Sequence, residues 1–332
     1  MSVSAKLRTG LLKAGLLLFL GCLLCFPSTA LAGAKDGLLL WFYQVMPSLL
    51  PFLILSSLFF ATGLSDRIAG KLSPLLSPVF RCSSSGCYAV VIGLLSGLPV
   101  GAKTVADLTS TGRITKKEGT YLLPLCNNPS PLFLLGFISL SVIKQPALRY
   151  PLFLTVVLSS IVAAMLLRPR ESTSVTSNVS SRDHALTPAN RSGKPGPGSP
   201  APAPFTFSFL LLDAAIEQAF LILTKVGGYL VLFSVLAKLL AVLPLPATLL
   251  ACFGAFLEIT TGSNALSALS LAEPVRISLI TGFVTFGGLS SVAQTKSVLT
   301  GTTLPLAHYL LTKAVAGLIA GLLMWFFLLF VM

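Results

Sequence analysis

Long unbroken apolar runs, separated by short polar or basic turns, recur along almost the whole chain. A helix needs about 17–25 mostly apolar residues to cross the hydrocarbon core of a bilayer. Runs of that kind fall at 11–32, 47–63, 118–143, 150–167, 226–243, 275–300 and 305–331, predicting about seven spanning helices. Two segments are less apolar. One is 33–46, with Lys35 and Asp36; the other is 205–225, with Asp213, Glu217 and Lys225. Both are predicted to lie along the interface, the second being also long enough to span.

Several runs are interrupted from within. Gly97, Pro99 and Gly101 break the run from Tyr88 to Leu108, and Asn127, Asn128, Pro129, Ser130 and Pro131 break the run from Tyr121 to Ile143. In the second half, Glu258, Thr260, Thr261 and Gly262 form one break, and Gly287, Gly288, Ser290 and Ser291 another. Backbone that leaves a helix at membrane depth persists only where it is buried in protein or lines a wet cavity. Breaks paired between two halves of a chain point to a solute site near the bilayer midplane.

The halves also align. Gly101 in SGLPVGAKTVADL matches Gly262 in LEITTGSNALSAL, an offset of 161 residues, and Ser130 in CNNPSPLF matches Ser290 in FGGLSSVA, an offset of 160. Two near-equal offsets predict an internal repeat. Between the halves lies 168–204, rich in Ser, Pro, Gly and basic residues, which cannot bury enough apolar surface to offset its ordering entropy and is predicted to be disordered. The predicted units are a signal-anchor-like helix at 1–36, a first repeat at 37–167, the linker at 168–204 and a second repeat at 205–332. Residues 1–36 combine a basic start (Lys6, Arg8, Lys13) with a Leu-rich stretch ending Ala30-Leu31-Ala32, a signal-like pattern read here as an uncleaved helix.

Basic turns set the orientation. The Arg67–Arg81 loop, the Arg113–Lys117 loop and the linker should face the cytoplasm. The segment 87–111 then enters and leaves on one side, as a re-entrant hairpin with Gly97–Gly101 at its tip. By the repeat, 247–272 is a second hairpin with Glu258–Gly262 at its tip. The expected architecture is all-α and polytopic, with two inverted repeats, two re-entrant hairpins and broken helices.

Composition agrees with a membrane class: 54% of residues are hydrophobic, 10% are charged, and the mean hydropathy is +0.90. The net charge of +13 is spread over connecting segments without interleaved aromatics, which argues against nucleic-acid binding. Six cysteines form no CxxC pair and lie apart from His184 and His308, so no metal or cofactor is expected. No HExxH, GxSxG or Walker-type loop is present, and an enzyme is not expected.

Leu38-Leu39-Leu40-Trp41 with Pro47–Phe52, the Gly97–Lys103 segment GLPVGAK and the Cys126–Phe133 segment CNNPSPLF resemble the Gate, or nucleoside-recognition, domain. Within it the chain is most similar to the sporulation integral membrane proteins of the YlbJ group. That resemblance covers most of 37–330 outside the linker. It implies a carrier layout with two hairpins and two unwound helices, transport of dipicolinate (pyridine-2,6-dicarboxylate) during sporulation, and a place in the cell membrane, in the sporulating cell the outer forespore membrane.

The candidate solute-binding residues are Gly97, Pro99, Gly101, Lys103, Asn127, Asn128, Ser130, Glu258, Thr260, Thr261, Ser263, Asn264, Gly287, Gly288, Ser290 and Ser291. Half-helices starting near Ala102 and Leu132 would aim N–H groups at an anion. Lys103 adds a positive charge just after a hairpin tip, or else snorkels to the cytoplasmic interface. Asn127, Asn128 and Ser130 would bond a carboxylate or ring nitrogen, or simply satisfy backbone around the prolines. Glu258 would bind a coupling proton or pair with Lys103, or else sit as an exposed loop carboxylate. Gly287, Gly288, Ser290 and Ser291 complete the symmetry or mark a packing kink. Three functions follow: an anion carrier, a nucleoside or other metabolite carrier of the same fold, and a non-transporting membrane assembly protein. Partners are a small solute and the bilayer, with a coupling proton or Na+ and a homo-oligomer left open.

Overall fold

The computed structural model describes residues 3–169, 208–299 and 301–331, so the predicted disorder of 168–204 falls almost wholly outside the described residues. Every regular element among them is helical, as expected of a polytopic all-α membrane protein. Helices Pro146–Leu166, Phe209–Leu240, Glu273–Val298 and Leu306–Phe330 are each long and apolar enough to cross a bilayer.

The N-terminal third departs from expectation. α1 (Val3–Cys25) and α2 (Pro27–Leu40) meet at 102°, so 11–32 is not one straight span. Phe26 leaves helical geometry (φ −126°, ψ 56°), and Pro27 has no N–H with which to continue the ladder. The segment 33–46 is not interfacial either. α2 passes through a π-helical stretch, π1 (Trp41–Val45), into α3 (Met46–Ala61), and this path runs antiparallel along α9 (Phe209–Leu240). Gly33 and Gly37 permit the contact: a Cβ at either would stand 2.8 Å from the Cα of Val235 or Val231.

The segment 205–225 takes the spanning alternative over the interfacial one. Its described part belongs to α9, a single helix of 32 residues, about 48 Å long against a hydrocarbon core of about 30 Å. Asp213, Glu217 and Lys225 are exposed, while Ala215, Ala219, Ile222 and Val226 form a buried stripe at helical spacing. The amphipathic helix lies elsewhere. α4 (Leu64–Phe80), predicted as a basic loop, turns by 86° into α5 (Ser84–Ser96), with Ile68, Leu72, Leu76 and Phe80 on one face and exposed Arg67 and Lys71 off it.

Both predicted hairpins form. Hairpin 1 is α5 with α6 (Val100–Ser110), and hairpin 2 is α10 (Ala247–Leu257) with α11 (Ile259–Ser267). Both broken helices form as well. α7 (Lys116–Cys126) continues after a gap as π2 (Phe133–Ile143), and α12 (Glu273–Phe286) continues as α13 (Gly288–Val298). α8 (Arg149–Leu166) and α14 (Leu306–Val331) complete the bundle.

The contacts exchange reciprocally. α6 of hairpin 1 touches α13, the second half of the other repeat's broken helix, and α11 of hairpin 2 touches π2. Orientation follows from the ends. Arg168 at the end of α8 donates to the Arg81 carbonyl at 2.7 Å, and Ser83 at the foot of hairpin 1 donates its N–H to Glu118 at 2.6 Å. This is the end that the positive-inside expectation assigns to the cytoplasm, and the opposite end is accordingly termed outer. At the far end, Gln145 donates to Glu273 near the foot of hairpin 2.

Candidate solute site between the hairpin tips

Glycines let backbone meet backbone at both hairpins, against the end of α7 at Gly101 and between the two arms at Gly262. A Cβ on Gly101 would stand 1.8 Å from the Cys126 carbonyl oxygen, and one on Gly262 would stand 2.0 Å from the Ala255 Cα. At tip 1, Gly97 takes φ +79° with its Cβ position 2.5 Å from the Ser130 nitrogen, so glycine is required on both counts. The next N–H, of Leu98, donates to the Asn128 carbonyl at 2.7 Å and ties tip 1 to the first helix break. Tip 2 closes differently. Glu258 is extended and caps α11, its carboxylate accepting the N–H of Thr260 at 3.0 Å and of Thr261 at 2.7 Å.

Both tips and both breaks converge on one cavity. Leu98 of tip 1, Pro129 and Ser130 of the first break, Glu258 and Thr260 of tip 2, and Gly287, Ser290 and Ser291 of the second break all line it. Its volume is about 70 Å³, room for about two waters.

A vestibule adjoins each hairpin. The outer one, about 740 Å³, lies between hairpin 2 and the α2/α9 pair and is lined by Asn264, Thr261, Tyr43 and the Asp36–Lys238 ion pair (2.9 Å). The cytoplasmic one, about 240 Å³, lies between hairpin 1 and the α3/α9 pair and is lined by Lys103, Asp107, Thr104, Tyr88 and Gln218. Gln218 and Lys238 stand 20 residues apart on α9, about 30 Å, so the vestibules lie one hydrocarbon thickness apart. Leu40 and Gln44 line both the central cavity and the outer vestibule and form the partition between them.

The predicted residues therefore separate into groups. Ser130, Glu258, Thr260, Gly287, Ser290 and Ser291 line the cavity. Thr261 and Asn264 face the outer vestibule. Gly97, Pro99 and Gly101 shape tip 1, while Asn127, Asn128, Ser263 and Gly288 are buried behind the walls. Lys103 stands apart. It lines the cytoplasmic vestibule, pairs with Asp107 at 2.5 Å one helical turn away, and forms no pair with Glu258. Glu258 is not an exposed loop carboxylate: it is 1% exposed.

The buried asparagines organise a network that the sequence reading left out. Asn127 Nδ2 donates to Thr295 Oγ1 at 2.7 Å and to the Tyr309 hydroxyl at 2.9 Å, crossing from the first break to the second repeat. Asn128 Oδ1 accepts from Ser160 Oγ at 2.7 Å and from Lys313 Nζ at 2.8 Å. Gln44, Gln294, Thr295, Tyr309 and Lys313 were all missed. A signal existed for Lys313, a lone cation inside the apolar run 305–331, since intramembrane charges mark function by default. Gln44 was hidden by the mistaken interfacial assignment of 33–46.

The chain is similar to the sporulation integral membrane protein YlbJ of Bacillus subtilis strain 168, with 25% identity over 97% of this chain and 84% of that protein. No family model matches the chain, and no solved structure does. The Gate-domain resemblance thus rests on the motifs themselves.

Proposed function

We propose that the protein is a carrier that moves a small anionic solute across the membrane by alternating access, with dipicolinate as the solute and spore formation as the setting. One observation supports this above the others: a small cavity walled by two hairpin tips and two helix breaks, with a vestibule on either side. A scaffold or assembly protein has no use for such breaks at the midplane. Sporulation is suggested by the relative. Dipicolinate, and with it the outer forespore membrane, is suggested by the motif resemblance.

The chemistry suits an anion. π2, α11 and α13 begin at the cavity and α6 begins two residues after Leu98 in its wall, and a helix start presents N–H groups without intrahelical partners and a positive dipole end. Glu258 fills the start of α11 and Ser130 Oγ accepts the Phe133 N–H at 3.2 Å at the start of π2, leaving the starts of α6 and α13 for the carboxylates of a planar dicarboxylate. Carbonyls freed at the ends of α7, α10 and α12 would receive a coupling cation or proton. At about 70 Å³ the cavity holds water but no aromatic dicarboxylate, so the conformation described is a closed one and binding requires a hairpin to move.

A neutral solute is the second reading, because among the described residues Glu258 is the one charged side chain lining the cavity and no cation does. Uptake of labelled dipicolinate into proteoliposomes decides between them. The anion reading expects uptake that excess nucleoside does not inhibit and that Ser290→Trp, which fills the cavity, abolishes at unchanged protein abundance. Competition by nucleosides without dipicolinate uptake would favour the neutral solute. Entry no faster than into protein-free liposomes would overturn the dipicolinate assignment.

A further inference from the structure

Lys313 lines neither the cavity nor a vestibule, yet its side chain is 0% exposed. It lies seven residues into α14, roughly 10 Å from the helix start. An ammonium has three donors, and the hydrogen bond here goes to Asn128 Oδ1, a neutral amide oxygen. A charge buried among neutral groups is costly and is retained in membrane proteins mainly along ion and proton pathways.

The neighbouring helices offer no counter-charge at that depth. α14 packs against α7, α8 and α12. Among the described residues their acidic side chains are Glu118, in the first turn of α7 and bonded to Ser83, and Glu273, the first residue of α12 at the opposite end. α8 has none. Lys116 and Lys117 at the cytoplasmic end, and Arg149, Tyr150 and Arg276 at the outer end, are likewise terminal. The remaining titratable groups are Tyr121 and Cys126 on α7 and His308 and Tyr309 on α14.

Asn128 is bound at both ends. Its side chain accepts from Lys313 and Ser160, while its main-chain carbonyl accepts the Leu98 N–H of tip 1 at 2.7 Å. The residue fixed by the ammonium is therefore the residue that holds hairpin 1 shut. Tip 2 is held differently: Glu258 caps its own helix, and Thr261 Oγ1 meets Ser234 Oγ of α9 at 3.3 Å, with neither contact reaching Lys313.

We infer that Lys313 is the binding site of a coupling proton, and that its ammonium form latches hairpin 1 through Asn128 while its neutral amine form releases the hairpin towards the cytoplasm. The purpose of the latch rests on the carrier reading, but its test does not. A hydrogen bond from a charged donor is about twice as strong as one from a neutral donor, so loss of the proton should favour opening by about tenfold. Lys313 acts through Asn128 and is a positioning residue, so the diagnostic readout is a pH profile.

The test labels Thr104→Cys, on the wall of the cytoplasmic vestibule, with an impermeant maleimide in oriented proteoliposomes. Rates are read by mass spectrometry of the labelled peptide and divided by those of Asn264→Cys in the outer vestibule, which removes the thiol's own pH dependence. With Lys313 present, the normalised rate should rise about tenfold between about pH 6 and about pH 10, as one proton leaves. In a Lys313→Met background it should be high and flat. A flat profile with Lys313 present overturns the proposal whatever the variant does, and so does a Lys313→Met profile matching that of Lys313. A rising profile without solute uptake would sink the carrier reading and keep the latch. Uptake with a flat profile would sink the latch and keep the carrier.

Discussion

The two hairpins follow one plan in two different surroundings. Each has a glycine pair eight residues apart facing across its arms, Gly93 with Gly101 and Gly254 with Gly262. Hairpin 1 is enclosed: α5 packs on α4 and α7, seven of the 11 residues of α6 are buried, and Gly93 and Gly101 both press on the Cys126 carbonyl. Hairpin 2 has shorter arms, and Leu249, Phe253 and Phe256 on α10 face outward, exposed by about 40% each. Its vestibule is about 740 Å³ against about 240 Å³ for hairpin 1. Segments with few buried contacts open at low free energy. The same motif thus serves as part of the scaffold in one repeat and as the readier gate in the other, and hairpin 1 opens only when its tie to Asn128 is broken.

The sharpest challenge to this comparison is Gly101→Ala. Its Cβ would stand 1.8 Å from a carbonyl oxygen in fully packed surroundings, so the cost should be about 3 kcal/mol or more, seen as a large loss of Tm in detergent. Gly262→Ala meets the Ala255 Cα at 2.0 Å, but α10 is bounded outside by lipid and can shift, so about 1–2 kcal/mol is expected. The reverse ranking would show hairpin 2 to be the more constrained. Glu258→Ala strips the cap from α11 and should cost about 1 kcal/mol, with faster hydrogen exchange at the Thr260 and Thr261 amides. Unchanged exchange there would mean that tip 2 is held by packing instead. Lys103→Ala breaks a part-exposed ion pair and should change stability by less than about 1 kcal/mol. A larger loss would make the cytoplasmic vestibule part of the structural core.

The hairpins and helix breaks were legible in the sequence because their causes are local. Gly97, Pro99 and Gly287 interrupt apolar runs that would otherwise continue as helix, and the offset between Gly101 and Gly262 fixes corresponding points of the two hairpins. Long-range placement was not legible. Lys103 lies one turn beyond tip 1, and that turn moves it from the cavity to the vestibule. The charges of 205–225 suggested an interfacial helix, but they fall on the exposed face of α9 while the opposite face supplies the burial. Lys313 disappears in any average over an apolar run, and its significance comes from Asn128, 185 residues earlier.

The central claim is that the vestibules open on opposite faces and are separated by the closed hairpin tips. Impermeant maleimide applied from one side at a time, at a single pH, to oriented vesicles carrying Asn264→Cys or Thr104→Cys tests it directly. The account predicts labelling of Asn264→Cys from the outer face only and of Thr104→Cys from the cytoplasmic face only, with neither reagent passing the constriction. Labelling of both positions from the same face would contradict it.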